Sequence, residues 1–511
     1  MISPRKIKTA LISVYNKDGL SDLLAALDQH GVQFLSTGGT RQYIEEQGYQ
    51  CLAVEDFTGY PSILGGRVKT LHPKIFGGIL NRRDNDKDKA QVKAFGIEPI
   101  DLVIVDLYPF EETVAQGGTP EEIIEKIDIG GISLIRAAAK NFNDVVIIPS
   151  RQHYAALKQL LDADGAETSL DTRRHFACEA FAVSSNYDSA IFNYFNSTQD
   201  GEKTPALRVA INSIKELRYG ENPHQQAVFH GDFNAMFNQL HGKEISYNNI
   251  LDIDAATALI AEFDEPTFAV IKHNNACGVA TRPTIGEAWR DALAGDPVSA
   301  FGGVLIANRP IDKATADEIN KIFLEVIIAP AYDDEALEVL KQKKNRIILV
   351  QLKANDTKRT LRTALGGILE QERDNTVAQP DQLKTVTNTV PTPEQIADML
   401  FAEKIVKHSK SNAIVLARNG MLLGSGVGQT SRVDALRHAI EKANSFELDL
   451  HGAVMASDAF FPFGDCVEIA DKAGVTAVIQ PGGSVRDSES VDYCNAHNIA
   501  MVMTGIRHFR H

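Results

Sequence analysis

The sequence predicts an α/β protein of at least two domains. Its 511 residues exceed what a single hydrophobic core usually supports. Short, wholly apolar runs such as 102–105 (LVIV) and 145–148 (VVII) alternate with segments of helical periodicity. Strands that are apolar on both faces are typical of parallel sheets covered by helices on each side. Functional residues are therefore expected at the carboxyl ends of the strands, where such sheets bind ligands.

Composition narrows the functional classes. The formal net charge of −15 argues against a nucleic-acid-binding surface. The five cysteines are widely spaced and form no C-x-x-C pair, which predicts neither disulfides nor a metal site. No run approaches the roughly 18 apolar residues of a membrane span, and the first residues lack a signal-peptide pattern. We expect a soluble, cytoplasmic protein without nucleic-acid or membrane partners.

The first third alternates strands and helices. Residues 8–14 predict a buried strand, and 33–35 predict a second one. Between them a helix ends near Gly31, and its apolar face is formed by Leu20, Leu23, Leu24 and Leu27. Residues 152–195 are mostly helical in pattern, and the polar stretch 197–205 is the predicted linker. This places a first domain at 1–199, with a sheet core at about 1–150, and a second at 200–511.

The second domain is also predicted to be α/β. A polar stretch at 371–395 splits it, and Asn419-Gly420 predicts a hairpin turn. The halves could be related units, although no convincing internal repeat is visible. The remaining predicted elements are helices around 256–263, 285–292, 394–406 and 431–445, and strands at 267–271, 303–307, 453–456 and 475–479.

Polar motifs in the first domain follow the predicted strands. Glycine and hydroxyl residues at 36–40 (STGGT) precede a helix, where free N–H groups and the helix dipole favour an anion such as a phosphate monoester. A plain turn with an N-cap explains the same residues. Arg136 and Lys140 share a helix face, which suits an anionic ligand, or a snorkelling surface pair. The other motifs are 13–17 (SVYNK), 65–73 (GGRVKTLHP), 106–110 (DLYPF) and 128–131 (DIGG).

Lys272-His273 directly follows a predicted strand in the second domain. The pair offers a cation and a general base near neutral pH, although such a dipeptide by itself is more typical of a loop with one buried, hydrogen-bonded histidine. The aromatic residues of 460–463 (FFPF) are either core or a wall for a planar heterocycle. The basic end, 507–511 (RHFRH), is usually a frayed tail.

Together these motifs resemble the bifunctional purine biosynthesis family. The motifs of the first domain resemble IMP cyclohydrolase, and 218–225 (RYGENPHQ), 272–278 (KHNNACG) and the later motifs resemble AICAR transformylase. The motifs cover nearly the whole chain and occur in the same order as in the family. The resemblance implies a methylglyoxal-synthase-like first domain, two cytidine-deaminase-like units in the second, and a homodimer with transformylase sites at the subunit interface. It also implies formyl transfer from 10-formyltetrahydrofolate to AICAR, then cyclisation of formyl-AICAR to IMP with loss of water. No tightly bound cofactor or metal is expected.

Site residues follow from the same resemblance. In the cyclohydrolase it implies catalytic roles for Lys69, Tyr108, Asp128 and Lys140, and ligand binding by Tyr15, Asn16, Lys17, Ser36, Thr37, Gly38, Gly39, Arg67, Val68, Thr70, Val105, Asp106 and Ile129. In the transformylase it implies catalysis by Lys272 and His273, AICAR binding by Arg218, Tyr219, Asn249, Gly302, Glu325, Asn412, Arg432, Phe460 and Arg507, and folate binding by Val433, Asp465, Ser484 and Val485.

Three residues depart from the family pattern. Asp106 stands where Asn is frequent, Ala276 where Pro is common, and Glu325 where some members have Asp. Two alternatives stay open beside the bifunctional enzyme. The chain could be a regulatory nucleotide-binding protein, although a sensor needs no general base such as His273. It could also retain only one activity, for which Asp106 gives slight support.

Overall fold

The structure, a computed structural model, describes residues 4–511. The chain forms two compact units that divide after Asn212. The helix that precedes this boundary ends at Thr198, so the predicted linker at 197–205 begins in the last two residues of that helix and continues into the irregular segment that follows. No helix within 4–511 is long and apolar enough to cross a membrane.

The first unit is built around a five-stranded parallel sheet, and β1 and β7 form a separate antiparallel pair. The strands of the unit are β1 (Arg5–Lys6), β2 (Thr9–Ser13), β3 (Gln33–Ser36), β4 (Cys51–Ala53), β5 (Leu102–Val105), β6 (Val146–Ile148) and β7 (Glu167–Thr168). Its helices are α1 (Leu20–Gln29), α2 (Gly38–Glu46), α3 (Val54–Thr58), α4 (Pro73–Leu80), α5 (Asp86–Ala94), α6 (Phe110–Ala115), α7 (Pro120–Ile124), α8 (Gly130–Lys140), α9 (Tyr154–Asp164) and α10 (Leu170–Thr198).

The strand order β4-β3-β2-β5-β6 confirms the predicted parallel sheet. All four residues of β5 are buried, as its continuous apolar sequence predicts. The leucines predicted to form the inner face of α1 are also buried. The chain runs outward from β2 through β3 to β4 and then returns to β5 on the other side. This reversal puts the residues after β2 and β5 at a topological switch point, where α/β sheets bind ligands.

The second unit contains a twelve-stranded mixed sheet and two small hairpins. Its strands are β8 (Ile214–Leu217), β9 (Ala227–His230), β10 (Phe237–His241), β11 (Thr267–Lys272), β12 (Asn275–Thr281), β13 (Val304–Ala307), β14 (Val326–Ala329), β15 (Ile347–Gln351), β16 (Arg359–Ala364), β17 (Gly367–Glu372), β18 (Lys384–Thr385), β19 (Ile414–Arg418), β20 (Met421–Gly426), β21 (Val454–Ser457), β22 (Ala477–Gln480) and β23 (Ala500–Met503). Its helices are α11 (Tyr247–Ile260), α12 (Ile285–Gly295), α13 (Pro297–Ala300), α14 (Lys313–Ile319), α15 (Asp334–Leu340), α16 (Pro393–Lys407), α17 (Arg432–Ser445), α18 (Asp465–Lys472) and α19 (Asp487–His497).

This large sheet consists of two halves of the same topology. From one edge the order is β10-β15-β14-β13-β11-β12, and from the other it is β18-β23-β22-β21-β19-β20. The halves meet where β12 pairs with β20 in antiparallel orientation. Equivalent helices pack equally tightly: a Cβ built on Gly278 would lie 1.9 Å from the carbonyl oxygen of Ala292, and one on Gly424 would lie 2.3 Å from that of Ala439. The two halves are thus related α/β units.

The C-terminal tail is packed, so the expectation of a frayed end is wrong. His508 is only 2% exposed. Its Nδ1 lies 2.7 Å from Asp374 Oδ2, and its Nε2 lies 3.6 Å from Glu403 Oε1. Arg510 donates a hydrogen bond to the carbonyl oxygen of His408. The tail is therefore part of the folded unit and can carry Arg507 into a defined place.

The buried imidazole of His508 should make this unit's stability pH-dependent. Burial lowers the pKa of His508, but hydrogen bonds and charges from Asp374 and Glu403 outweigh burial and raise it to about 9. The ionised form thus stabilises the fold below the unfolded value of 6.5, and this contribution is lost as the pH rises through about 9. We expect it to reach on the order of 1–3 kcal/mol.

Denaturant unfolding below pH 6.5 and above pH 9 measures this contribution. In His508→Gln the transition of the second unit should lose most of the pH dependence seen between these conditions. Unchanged pH dependence in the variant would show that His508 does not stabilise the tail in this way.

Candidate functional site

A cavity of about 740 Å³ opens at the carboxyl edge of the five-stranded sheet. The segments after β2 and β5, the start of α2 and the start of α8 all contribute to its wall. Of the predicted cyclohydrolase residues, the cavity is lined by Tyr15, Lys17, Thr37, Gly39, Arg67, Lys69, Thr70, Asp106, Tyr108, Asp128 and Ile129. The structure therefore brings together motifs that are more than 100 residues apart in the chain.

The start of α2 forms one end of the cavity. Thr37 is the N-cap residue, and Gly38 adopts a left-handed φ of 53°. A Cβ built on Gly38 would lie 3.5 Å from Lys69 Nζ, so the lysine ammonium lies directly beside this glycine. Free backbone N–H groups and an adjacent ammonium make this end suited to a phosphate group.

The start of α2 at Gly38 and the adjacent Lys69 are called the phosphate cradle below, and substituting Gly38 tests it. Gly38→Ala adds a methyl group beside Lys69 at a φ that disfavours a side chain, and we expect the dissociation constant for IMP to rise about tenfold. Gly48→Ala is a matched control, because Gly48 also has a positive φ of 89° but a Cβ there would meet no atom within 4 Å. Calorimetric titration of both variants measures the effect. Equal affinities would contradict the assignment of this end to phosphate.

Asp106 has a structural role at the switch point. Its carboxylate accepts hydrogen bonds from the backbone N–H of Tyr15 and, at 3.0 Å, from that of Asn16. Burial raises its pKa, although these hydrogen bonds and the charge of Lys17 oppose the rise. Lys17 in turn donates to the carbonyl oxygens of Val14 and Tyr15. The carboxylate at this unusual position thus fixes the loop after β2.

Asp128 and Tyr108 are two ionisable groups in the wall of the cavity. Burial raises the pKa of Asp128, while backbone N–H groups, including that of Gly131 at 2.6 Å, oppose the rise. Burial also raises the pKa of Tyr108, and the charge of Asp128 adds to that rise. A carboxyl group with a raised pKa is better matched to proton exchange near neutral pH than an ordinary aspartate. This pair can therefore accept and return a proton during a reaction.

Six predicted residues of this site do not line the cavity. Ser36 donates to the carbonyl oxygen of Ile12 at 2.6 Å and is fully buried. Lys140 is at the last turn of α8, about 15 Å along the helix axis from the glycines that face the cavity. Arg136, which shares the helix face of Lys140 and is not one of the six, lies over the ring of Phe181, which favours a surface pair over a ligand contact. The others outside the lining are Asn16, Gly38, Val68 and Val105.

In the second unit, Lys272 and His273 lie where β11 turns into β12 through a hairpin with a two-residue turn. Lys272 pairs with Asn275, and the two residues between them, His273 and Asn274, have φ values of 51° and 64°. The equivalent hairpin of the other half carries Asn419-Gly420 with φ values of 51° and 62°. Asn-Gly is the usual sequence for such a turn, whereas histidine there costs on the order of 1–2 kcal/mol. Backbone conformations of this kind cluster at functional sites, which makes His273 a candidate functional residue.

Neighbouring groups fix this hairpin. Asp252, on α11, accepts a hydrogen bond from the backbone N–H of Asn274 at 2.7 Å. Lys272 Nζ donates to the carbonyl oxygen of Phe301, and a Cβ built on Gly302 would lie 3.9 Å from that ammonium. Three predicted AICAR-binding residues belong to the segments that contact this hairpin. Asn249 is on α11, as is Asp252, and Gly302 directly follows Phe301. The backbone N–H of Glu325 donates to the carbonyl oxygen of Gly303.

A second group of predicted residues surrounds Asp458. This carboxylate is fully buried, accepts from Ser411 at 2.5 Å and pairs with Arg432 at 3.2 Å. Arg432 and Arg507 both lie over the ring of Phe509. Asn412 follows Ser411, so the structure brings three predicted AICAR-binding residues together here. Asp458 itself was missed by sequence reasoning, because nothing in its motif separates it from an ordinary loop carboxylate.

The remaining predicted residues lie in loops and at helix starts. Phe461 belongs to the hydrophobic core, whereas Phe460 and Phe463 are 36% and 48% exposed. The motif therefore contributes one ring to the core and leaves two rings accessible to a ligand. Asp465 begins α18, while Ser484 and the fully exposed Val485 precede α19, which packs on α18. Val433 is at the start of α17. Arg218 and Tyr219 follow β8, where the guanidinium lies over the ring. Among residues 4–511, no cluster of three or more His, Cys, Asp or Glu side chains is arranged to hold a metal ion.

The fold and cavity of the first unit define an α/β domain suited to an anionic ligand at the strand ends. The MGS-like domain family matches residues 19–133, and the AICARFT/IMPCHase bienzyme family matches residues 138–442. A bifunctional purine biosynthesis protein PurH of Bacteroides thetaiotaomicron is 65% identical over 511 residues, covering 100% of both chains. Those of Caldicellulosiruptor saccharolyticus and Rhodospirillum rubrum are each 48% identical, covering 99% and 100% of this chain and 100% of their own. The chain therefore belongs to the AICARFT/IMPCHase bienzyme family.

Proposed function

We propose that the protein transfers a formyl group from 10-formyltetrahydrofolate to AICAR in its second unit and closes formyl-AICAR to IMP in its first. The family carries both activities, and the single observation that supports their assignment is the presence of two separate reactive centres. One is the phosphate-suited cavity of the first unit, and the other is the Lys272-His273 hairpin of the second. A regulatory binding protein would have no use for the second centre.

His273 accepts a proton in the formyl-transfer step. The 5-amino group of AICAR is a weak nucleophile, so it must lose a proton as it attacks the formyl carbon. The attack places negative charge on the formyl oxygen, which the ammonium of Lys272 stabilises. The bond to the folate nitrogen then breaks, and that nitrogen takes up a proton. The products are formyl-AICAR and tetrahydrofolate.

Ring closure takes place in the cavity of the first unit. The carboxamide nitrogen attacks the formyl carbon, and the formyl oxygen leaves as water after protonation. This step is intramolecular, so holding the reactive conformer supplies much of the acceleration. Lys69, whose ammonium lies beside Gly38, stabilises the negative charge of the bound substrate at that end of the cavity, while Asp128 and Tyr108 move the protons. Assaying the two half-reactions separately tests the proposal: each should proceed alone, and loss of either one would leave a monofunctional enzyme.

The protein acts as a homodimer in the cytoplasm, and the dimer supplies Lys140. Because Lys140 lies about 15 Å along α8 from the glycines that line the cavity, we assign its implied role in ring closure to the cavity of a second copy. Light scattering measures the dimer directly, and a strictly monomeric active protein would refute it.

Mixing two inactive variants tests the contribution of the second copy. Lys69→Ala and Lys140→Ala should each lose ring closure alone. In randomly mixed dimers, half of the molecules are heterodimers with one intact site, so about a quarter of the activity should return. No recovery in mixed dimers would mean that both lysines act within one chain.

A further inference from the structure

Lys126 lines the cavity of the first unit beside the proton-transfer pair. Its Nζ lies 5.3 Å from the ring centre of Tyr15 and 6.0 Å from that of Tyr108. The two rings meet edge to face with centroids 5.5 Å apart, so the ammonium makes cation–π contacts with both of them. Within residues 4–511, no carboxylate pairs with it; the neighbouring Glu125 is engaged by Arg67. The charge is thus available to a ligand.

The backbone that carries Lys126 is fixed. The hydroxyl of Tyr187, on α10, donates to the carbonyl oxygen of Lys126 and accepts from the N–H of Asp128 at 2.8 Å. Tyr187 is buried, and its ring packs against Phe110. The same tyrosine therefore positions Lys126 and Asp128 together. A lysine that merely extends into solvent would need no such support.

The strand order places Lys126 at the end of the cavity away from the phosphate cradle. The cradle follows β3, whereas the two rings beside Lys126 follow the next two strands, Tyr15 after β2 and Tyr108 after β5. Neighbouring strands are about 4.8 Å apart, so these rings lie roughly 5 and 10 Å along the sheet edge from the cradle. This separation suits a nucleotide whose phosphate lies at Gly38 and whose base lies at Tyr108. The cation therefore faces the base.

We propose that Lys126 is a positioning residue that binds the carboxamide oxygen of formyl-AICAR, the oxygen that becomes the ring carbonyl of IMP. The proposal rests on the function proposed above for this cavity. Because that oxygen is present in substrate and product alike, the hydrogen bond from Lys126 contributes to binding of both. It orients the carboxamide so that its nitrogen faces the formyl carbon, and it leaves proton transfer to Asp128 and Tyr108.

Lys126→Gln separates base binding from phosphate binding. Losing a hydrogen bond from a charged donor should raise the dissociation constant for IMP and the KM for formyl-AICAR about ten- to a hundredfold. The affinity for ribose 5-phosphate, which has no base, should stay within about twofold of wild type. Retained ribose 5-phosphate binding also shows that the variant is folded. Lys93→Gln, an exposed position at the end of α5, is the matched control.

Two outcomes would overturn the proposal. Unchanged IMP affinity would show that Lys126 does not contact the ligand, and an equal loss for IMP and ribose 5-phosphate would place it at the phosphate. Wild-type protein is assayed for ring closure first. Failure of that assay refutes the function proposed for the cavity, whereas normal wild-type turnover with an unaffected variant refutes the role of Lys126 alone.

Discussion

Replacing His273 by alanine is expected to abolish formyl transfer while leaving ring closure intact. The histidine is held at a hairpin position with a φ of 51°, where the equivalent hairpin has Asn419. Its imidazole is the proposed proton acceptor for the weakly nucleophilic amine, and removal of a general base typically lowers the rate by 10²- to 10⁴-fold. Folate-dependent consumption of AICAR measures the first step, and added formyl-AICAR measures the second.

A surface histidine provides the control for this variant. His451 is 86% exposed and pairs with Asp449, so His451→Ala should formylate at the wild-type rate. His273→Asn restores a residue suited to the turn and should remain inactive, because it keeps the backbone and removes the base. Formylation at a normal rate by either His273 variant would refute the assignment.

Replacing Lys69 by alanine should produce the opposite separation. Its ammonium lies beside Gly38 and Gly66, where a Cβ built on Gly66 would lie 3.3 Å from Nζ. We expect ring closure to fall by about 10²- to 10³-fold, as when a charge-stabilising donor is removed from an active site. Formyl transfer in the second unit should continue, so formyl-AICAR should accumulate.

Lys93→Ala is the control for Lys69, since Lys93 lies on the exposed surface of α5. Its ring-closing rate should equal that of wild type. Ring closure at the wild-type rate by Lys69→Ala would show that the Lys69 ammonium is not needed for the reaction.

Strong local patterns allowed much of the fold to be predicted. Continuous apolar strands such as β5 and the leucine face of α1 specify buried elements from sequence alone. The three-residue strand β4 was missed because its apolar run is too short to stand out. The relation between the two halves of the second unit could be suggested from the sequence but not established. The equivalent close approaches at Gly278 and Gly424 involve single residues and leave no extended repeat in the sequence.

For the candidate sites too, local sequence patterns predicted single positions but not contacts between distant segments. The sequence placed Lys272 and His273 at a strand end, and the structure confirms that Lys272 ends β11 and that His273 follows it in the turn. Contacts between distant segments could not be predicted, such as the hydrogen bond from Asn274 to Asp252. The position of Lys140 also depended on the direction of α8: the first residues of this helix line the cavity, but Lys140 is at its other end. Lys126 was overlooked because only the packing of Tyr15, Tyr108 and Tyr187 gives it a place in the site.

A single coupled reaction tests the bifunctional assignment most directly. Purified wild-type protein is incubated with AICAR and 10-formyltetrahydrofolate, and the quenched products are separated by chromatography. IMP and tetrahydrofolate should appear in equal amounts, with formyl-AICAR present only as an intermediate. Accumulation of formyl-AICAR without IMP, or no consumption of the folate, would contradict the presence of two working centres on this chain.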